Sequence, residues 1–225
     1  MGKISIALDG PSGAGKSTLA RRVAGHFGFI YVDTGALYRC IGLFALRSGV
    51  APKDERAVAS LLPDIGLEMV YDSDGLQRMI LNGEDVTDDI RTPEASAYAS
   101  DVSALPVVRD FLLSMQRGMA DKYDVVMDGR DIGTVVLPEA GLKVFLIADA
   151  EVRAKRRHLE LLERNIDASF EDVLRDINSR DFNDSTRAAA PLKAAEDAVM
   201  LNTTDLSFQE SFEALCRLVS QRFDI

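Results

Sequence analysis

Residues 10–17 read Gly10-Pro11-Ser12-Gly13-Ala14-Gly15-Lys16-Ser17, a G-x-x-x-x-G-K-[ST] run whose flanks leave few ways for the chain to fold. Before it, Ile4 to Asp9 is a short apolar segment suited to a buried strand. After it, Leu19, Ala20, Val23, Ala24 and Phe27 recur at helical spacing until Gly28. The order strand, glycine loop, helix makes the loop an anion nest: the glycines allow close wrapping and positive φ, and successive N–H groups gather at the positive end of the helix. In such a phosphate loop Lys16 supplies charge for the β- and γ-phosphates and the Ser17 hydroxyl is placed to hold Mg²⁺. A dinucleotide fingerprint is excluded, because from Gly13 the series runs G-x-G-x-x-T and lacks its third glycine.

Phe29 to Asp33 is a second β-rich run, so the opening is a βαβ unit and the sheet is parallel. Further apolar runs at Asp124–Asp128, Leu142–Ala148 and Ala198–Asn202 bring the strands to five. Between them the alternation breaks: Ile65–Tyr71 and Leu76–Leu81 flank Asp72-Ser73-Asp74-Gly75 as a hairpin, and Asn82-Gly83 turns into a short run ending at Val86. The expected fold is α/β, a parallel five-stranded sheet of P-loop type flanked by helices, with a small antiparallel insertion at about 62–92 and a helical lid at about 153–187. The core then comprises 1–61 and 93–225.

Strand ends carry the remaining chemistry. Arg39 lies near the entrance of the helix that follows the second strand, where open α/β sheets bind ligands. Asp128 closes an apolar strand and is the carboxylate best placed to reach Mg²⁺ or its water shell. The helix after Asp149 is expected to carry Arg153, Lys155, Arg156 and Arg157 on its exposed side, movable cations of the kind phosphoryl transfer uses. Arg109 lies off the apolar face of the helix opened by Pro106, and Arg180, Asp184 and Arg187 lie beyond the apolar stripe of theirs. Cys40 and Cys216 read as reduced core thiols, and His26 and His158 as solvent-facing side chains.

A formal net charge of −10 over 225 residues argues against gripping a nucleic-acid backbone and leaves a small anion as partner. No apolar run is long enough to span a bilayer, and the amino terminus enters the first strand almost at once, so a cytoplasmic protein is expected. A GTP-dependent switch would want an N-K-x-D motif, and none occurs.

Three stretches resemble the bacterial cytidylate kinases: Gly10 to Thr18 with Asp33-Thr34-Gly35-Ala36-Leu37-Tyr38-Arg39; Asp128-Gly129-Arg130-Asp131-Ile132-Gly133-Thr134; and Arg180 to Leu192. The likeness runs nearly end to end. It implies transfer of the γ-phosphoryl group of Mg·ATP to CMP and dCMP, and it makes the insertion a nucleoside monophosphate-binding domain; a monomer is expected. The resemblance assigns Gly10 to Thr18 to ATP; Arg39, Arg130 and Arg187 to the acceptor phosphate; Arg180 and Asp184 to the ribose; Ser100, Arg109 and Asp131 to the cytosine. Thr34 joins the acceptor site with a hydroxyl where many relatives have serine. Lys16, Arg130, Arg156 and Arg157 are then the catalytic cations, the last two in the lid. A P-loop kinase for another small acceptor is the alternative.

Overall fold

The computed structural model describes residues 2–163 and 166–225; Arg164 and Asn165, inside the expected lid span, lie outside the described residues. By its internal contacts the chain forms two compact units, one of residues 1–31 with 123–225 and one of residues 32–122.

The first unit is built on β1 (Ser5–Asp9), flanked by α1 (Lys16–Phe27). The second strand, β2 (Ile30–Asp33), runs into the other unit at its end. Ile6, Ala7 and Leu8 are fully buried in succession, the signature of a strand covered on both faces. β1 pairs in parallel with β6 (Val125–Gly129) on one side and β7 (Leu142–Ile147) on the other; β7 pairs in parallel with β8 (Val199–Asn202). The sheet order is β2-β6-β1-β7-β8, the five-stranded α/β arrangement expected. Leu19 and Val23 of α1 and Leu215 and Val219 of α8 (Phe208–Phe223) share a core with Ile6, Leu8, Val126, Val144 and Leu146. Ser207 and Glu210 close a reciprocal capping box at the start of α8. Helices α6 (Ala150–Glu163) and α7 (Phe170–Thr186) form a hairpin with its own small core of Ala154, Val173 and Ile177.

The second unit is centred on α2 (Thr34–Arg47), whose Leu37 and Ile41 are buried with Val58 of α3 (Glu55–Leu61), Val102 of α4 (Pro93–Val102), and Val108 and Leu112 of α5 (Pro106–Lys122). The irregular segment is a three-stranded antiparallel sheet, β3 (Leu67–Tyr71), β4 (Gln77–Leu81) and β5 (Glu84–Asp85). Its Met79 and Leu81 point into the same core. Thr92 caps α4 with Pro93 at its first position, where a missing N–H costs nothing.

One arginine differs from the sequence reading, and a second is buried where apolar spacing gives no sign of it. Arg153, expected on the exposed side of α6, is 4% exposed, because the first turn of α6 lies against the glycine loop. Arg109 lies off the apolar stripe and is buried nonetheless: its guanidinium stands 5.5 Å from the Tyr38 ring centroid and donates to the Ser103 carbonyl at 3.0 Å. Apolar periodicity does not register a side chain that buries its stem and pairs its head.

Helices α2 and α4 meet closely at Gly42, where a Cβ would lie 2.7 Å from the Ala99 nitrogen. Backbone cannot rotate away, so Gly42→Ala is expected to lose stability by about 1–2 kcal/mol, the usual overpacking cost less the gain in helix propensity. Gly118→Ala on α5 meets nothing within 4 Å and is expected to gain about 0.5–1 kcal/mol. Urea midpoints of the two variants, moving in opposite directions from wild type, are the check.

Candidate functional site

The glycine loop leaves β1 through Gly10, at φ +147, where a Cβ would stand 2.5 Å from the Leu146 carbonyl oxygen; only glycine passes there. Gly13, at φ +73, lies with its absent Cβ 3.3 Å from the Cβ of Arg153, so the loop is seated on α6. Gly15 is left-handed as it enters α1. The Lys16 ammonium is buried and donates to the Pro11 carbonyl at 2.7 Å. Burial, with the Arg130 charge adding to it, pulls Lys16 down from 10.5 to about 7. A cation held so far from water binds a proton poorly until an anion arrives.

Beside the loop, Ser17 Oγ donates to Asp128 Oδ2 at 2.8 Å and the Tyr31 hydroxyl to Asp128 Oδ1 at 2.9 Å. A hydroxyl and a buried carboxylate are hard oxygen donors of the type Mg²⁺ takes, and Mg²⁺ needs only one or two such protein groups because it keeps water and phosphate ligands. Among the described residues no group of three or more His, Cys, Asp or Glu is placed to hold a metal.

At the end of β6 the structure gathers four of the expected residues. Arg130 Nε donates to Asp184 Oδ2 at 2.8 Å; Arg187 Nη1 lies 3.8 Å from Asp184 Oδ1 and its Nη2 3.6 Å from Asp131 Oδ1. Asp131 is 4% exposed. Arg180 is not in this network and pairs with Asp176 at 3.0 Å, one turn back along α7.

The two arginines expected in the lid are also engaged. Arg156 Nη2 donates to the Thr203 carbonyl at 2.7 Å, beyond β8, and Arg157 forms an exposed ion pair with Glu160 at 2.8 Å.

In the second unit, Asp33 caps α2 by accepting from the Ala36 N–H and receives Arg39 Nη2 at 2.7 Å. Gln77 of β4 holds the Asp33 backbone from both sides, accepting from its N–H at 2.8 Å and donating to its carbonyl at 3.3 Å. Thr34 is buried at the helix start, and Ser100 is half-buried on α4.

Residues that the sequence reading passed over position expected ones within each unit: Tyr31 and Asp181 in the first, Asp33 and Gln77 in the second. Asp9 does so most of all: its carboxylate accepts from the Ile132 N–H at 2.8 Å and the Gly133 N–H at 2.7 Å. These donors open a single π-helical turn, Ile132–Val136, that follows Asp131. The available signal was a carboxylate closing an otherwise apolar strand just before a phosphate loop.

Burial pushes Asp9 up from 3.8 to about 6, against the two N–H donors that pull it down. With the folded value above the unfolded one, Asp9 contributes stability that is present below about pH 4 and is lost as pH rises through about 6. Lowering the pH from about 7 to about 4 is therefore expected to stabilise wild type relative to Asp9→Asn, by on the order of 2–3 kcal/mol. Urea unfolding of both proteins across that range tests it, and parallel profiles would refute it.

The comparisons accord with this geometry. The family model for cytidylate kinase matches residues 6–221. The cytidylate kinase of Caldicellulosiruptor bescii is 49% identical over 220 residues, covering 97% of this chain and 96% of the relative. That of Syntrophotalea carbinolica is 46% identical over 220 residues, covering 98% and 93%. A solved structure of an uncharacterised protein from Eubacterium ventriosum shares the fold at TM-score 0.51 and 12% identity, covering 99% of this chain and 98% of that one. With its glycine loop, its arginine and aspartate network and a match from the first strand to the last helix, the chain belongs to the cytidylate kinase family.

Proposed function

We propose that this chain performs the reaction its family is named for, moving the γ-phosphoryl group of Mg·ATP onto the 5′-phosphate of CMP, and of dCMP, to give ADP and CDP or dCDP. Membership of the family makes it a nucleotide kinase with ATP as donor. The observation that most supports phosphoryl transfer is the buried Lys16 beside the glycine loop and the Ser17–Asp128 pair.

Gly10, Pro11, Ser12, Gly13, Ala14, Gly15, Ser17 and Thr18 would hold the ATP phosphates, with Lys16 leaving the Pro11 carbonyl for the β- and γ-oxygens. Mg²⁺, held by Ser17 and Asp128 in part through water, would supply charge neutralisation between the phosphates. Arg39, Arg130 and Arg187 would take the acceptor phosphate, and Arg180 and Asp184 the ribose. That phosphate is itself the nucleophile and is already ionised near neutral pH, so no side-chain base is required. The work is positioning and cationic stabilisation of the shared oxygens, in which Arg130, Arg156 and Arg157 join Lys16. Thr34 would line the acceptor site. We assign residues 62–92 to acceptor binding and 153–187 to the lid, and expect a cytoplasmic monomer; among the described residues no helix is long and apolar enough to cross a membrane.

Steady-state assays with Mg·ATP and a panel of CMP, dCMP, UMP, AMP and shikimate test the assignment. CMP and dCMP are expected to give the highest kcat/KM; efficient phosphorylation of another acceptor with none of CMP would overturn it and favour a kinase for that acceptor.

Base choice would rest on Asp131, with Arg109 and Ser100. Cytosine offers an N4 donor to a carboxylate, whereas uracil turns an O4 acceptor toward it, a difference of about 1–3 kcal/mol per contact. Asp131→Ala is expected to narrow the CMP-to-UMP ratio of kcat/KM by roughly ten- to a hundredfold. If Asp131 served only to orient Arg187, its neighbour at 3.6 Å, both substrates would decline together and the ratio would hold.

A further inference from the structure

Arg153 is the most deeply buried arginine among the described residues whose partners span three separate segments. Its Nε donates to the Ala148 carbonyl at the end of β7 at 2.8 Å, its Nη1 to the Ser12 carbonyl in the glycine loop at 2.8 Å, and Nη1 and Nη2 together grip the Asp181 carboxylate of α7 at 3.1 and 2.5 Å. The arginine side chain is 5% exposed and that of Asp181 26%. A charge so buried is stable only when paired and hydrogen-bonded throughout, and here its donors face two carbonyls and a carboxylate.

The bond to Ser12 has a consequence for the loop. A trans peptide sets its C=O and N–H on opposite sides, so a Ser12 carbonyl fixed toward Arg153 fixes the Gly13 N–H away from it. An anion nest depends on such N–H groups being set before the ligand arrives. Gly13 cannot hold this orientation by its own preferences, because glycine is permissive on both sides of φ. Contact assists: the position of a Gly13 Cβ lies 3.3 Å from Arg153 Cβ and 3.4 Å from Ile177 Cδ1, so the loop rests on both helices of the α6–α7 hairpin.

We propose that Arg153 is a positioning residue for the donor nucleotide: through the Ser12 carbonyl it presets the Ser12–Gly13 peptide of the phosphate loop, and through Asp181 it ties that setting to the α6–α7 hairpin. It touches neither substrate nor reacting atom. The inference rests on the reading of residues 10–18 as the ATP phosphate site, and it concerns ATP binding alone.

The experiment is calorimetric binding of Mg·ATP and, separately, of CMP to wild type and to Arg153→Met, Arg153→Lys and Asp181→Asn, with circular dichroism and thermal transitions recorded for each. Arg153→Met is expected to weaken ATP binding by roughly ten- to a hundredfold, the scale of a loop misplaced by about an ångström, while CMP affinity holds. Lysine keeps the charge but lacks the planar fork that serves a carbonyl and a carboxylate at once, so Arg153→Lys falls between. Asp181→Asn, which leaves the Ser12 bond in place, weakens ATP in the same direction and by less. In steady state the same variants raise KM for ATP and not for CMP.

A folded Arg153→Lys or Arg153→Met that binds ATP as tightly as wild type overturns the proposal, as does an equal proportional loss of ATP and CMP affinity. Should the methionine variant fail to fold, the lysine and asparagine variants carry the test. Wild type that binds no ATP would instead refute the phosphate-site reading, and wild type that binds ATP but makes no CDP would refute only the acceptor assignment.

Discussion

The carboxylate of Asp9, buried at the end of β1, ties the central strand of the larger unit to the segment that follows β6. β1 lies between β6 and β7 with its apolar residues sealed on both faces, so its last side chain emerges where water is scarce. A carboxylate there must find donors, and it takes the Ile132 and Gly133 N–H groups from the turn that follows β6. The turn is thereby folded against β1, and Arg130 and Asp131, which precede it, are fixed in place. Gly133 fits closely in the same place, since a Cβ would lie 3.2 Å from Lys143 Cδ and 3.3 Å from Asp9 Oδ2, so a larger residue would have to displace those side chains by a few tenths of an ångström. One buried charge thus sets the position of the segment that the sequence marks as functional.

Legibility in the sequence followed the length scale of the interactions. The phosphate loop, the strands and the hairpin were readable because each depends on neighbours a few residues away: glycines at 10, 13 and 15 for the loop, continuous apolar runs for parallel strands, Asp72 to Gly75 and Asn82-Gly83 for turns. Helix capping at Thr92, Ser169 and Ser207 is equally local, each side chain accepting from the N–H three residues on. What sequence could not give were pairings between distant segments: Arg153 with Ser12, 141 residues away, and Asp9 with the turn at 132 and 133. Arg153 illustrates the limit well, because four basic residues in five positions look like a solvated face until the partner carboxylate is found on another helix. Arg130 and Asp184 were both recognised by resemblance, yet their ion pair, and the separate pairing of Arg180 with Asp176, became visible only in three dimensions.

The charges around the end of β6 also bear on how the proposed acceptor would be chosen. Arg130 and Arg187 lie there against Asp184 and Asp131, so each guanidinium already faces a carboxylate that lowers the cost of its partial burial. Lys16 donates its hydrogen bond to the Pro11 carbonyl, with the charges of Asp128, Asp9 and Asp184 acting on it from farther away, so a phosphate can take its ammonium without breaking a direct ion pair. An inorganic phosphate entering the arginine pair would gain two cations and meet two carboxylates, a poor exchange. A nucleoside monophosphate is different, for it carries its negative charge at one end and hydrogen-bond donors on its sugar and base at the other. With its phosphate on the guanidiniums and its donors on Asp184 and Asp131, every charge freed from an ion pair finds a partner of the correct sign. On the proposed function, the paired carboxylates therefore do more than hold the arginines in position: they make the site attractive to a phosphate only when a donor-bearing nucleoside comes with it.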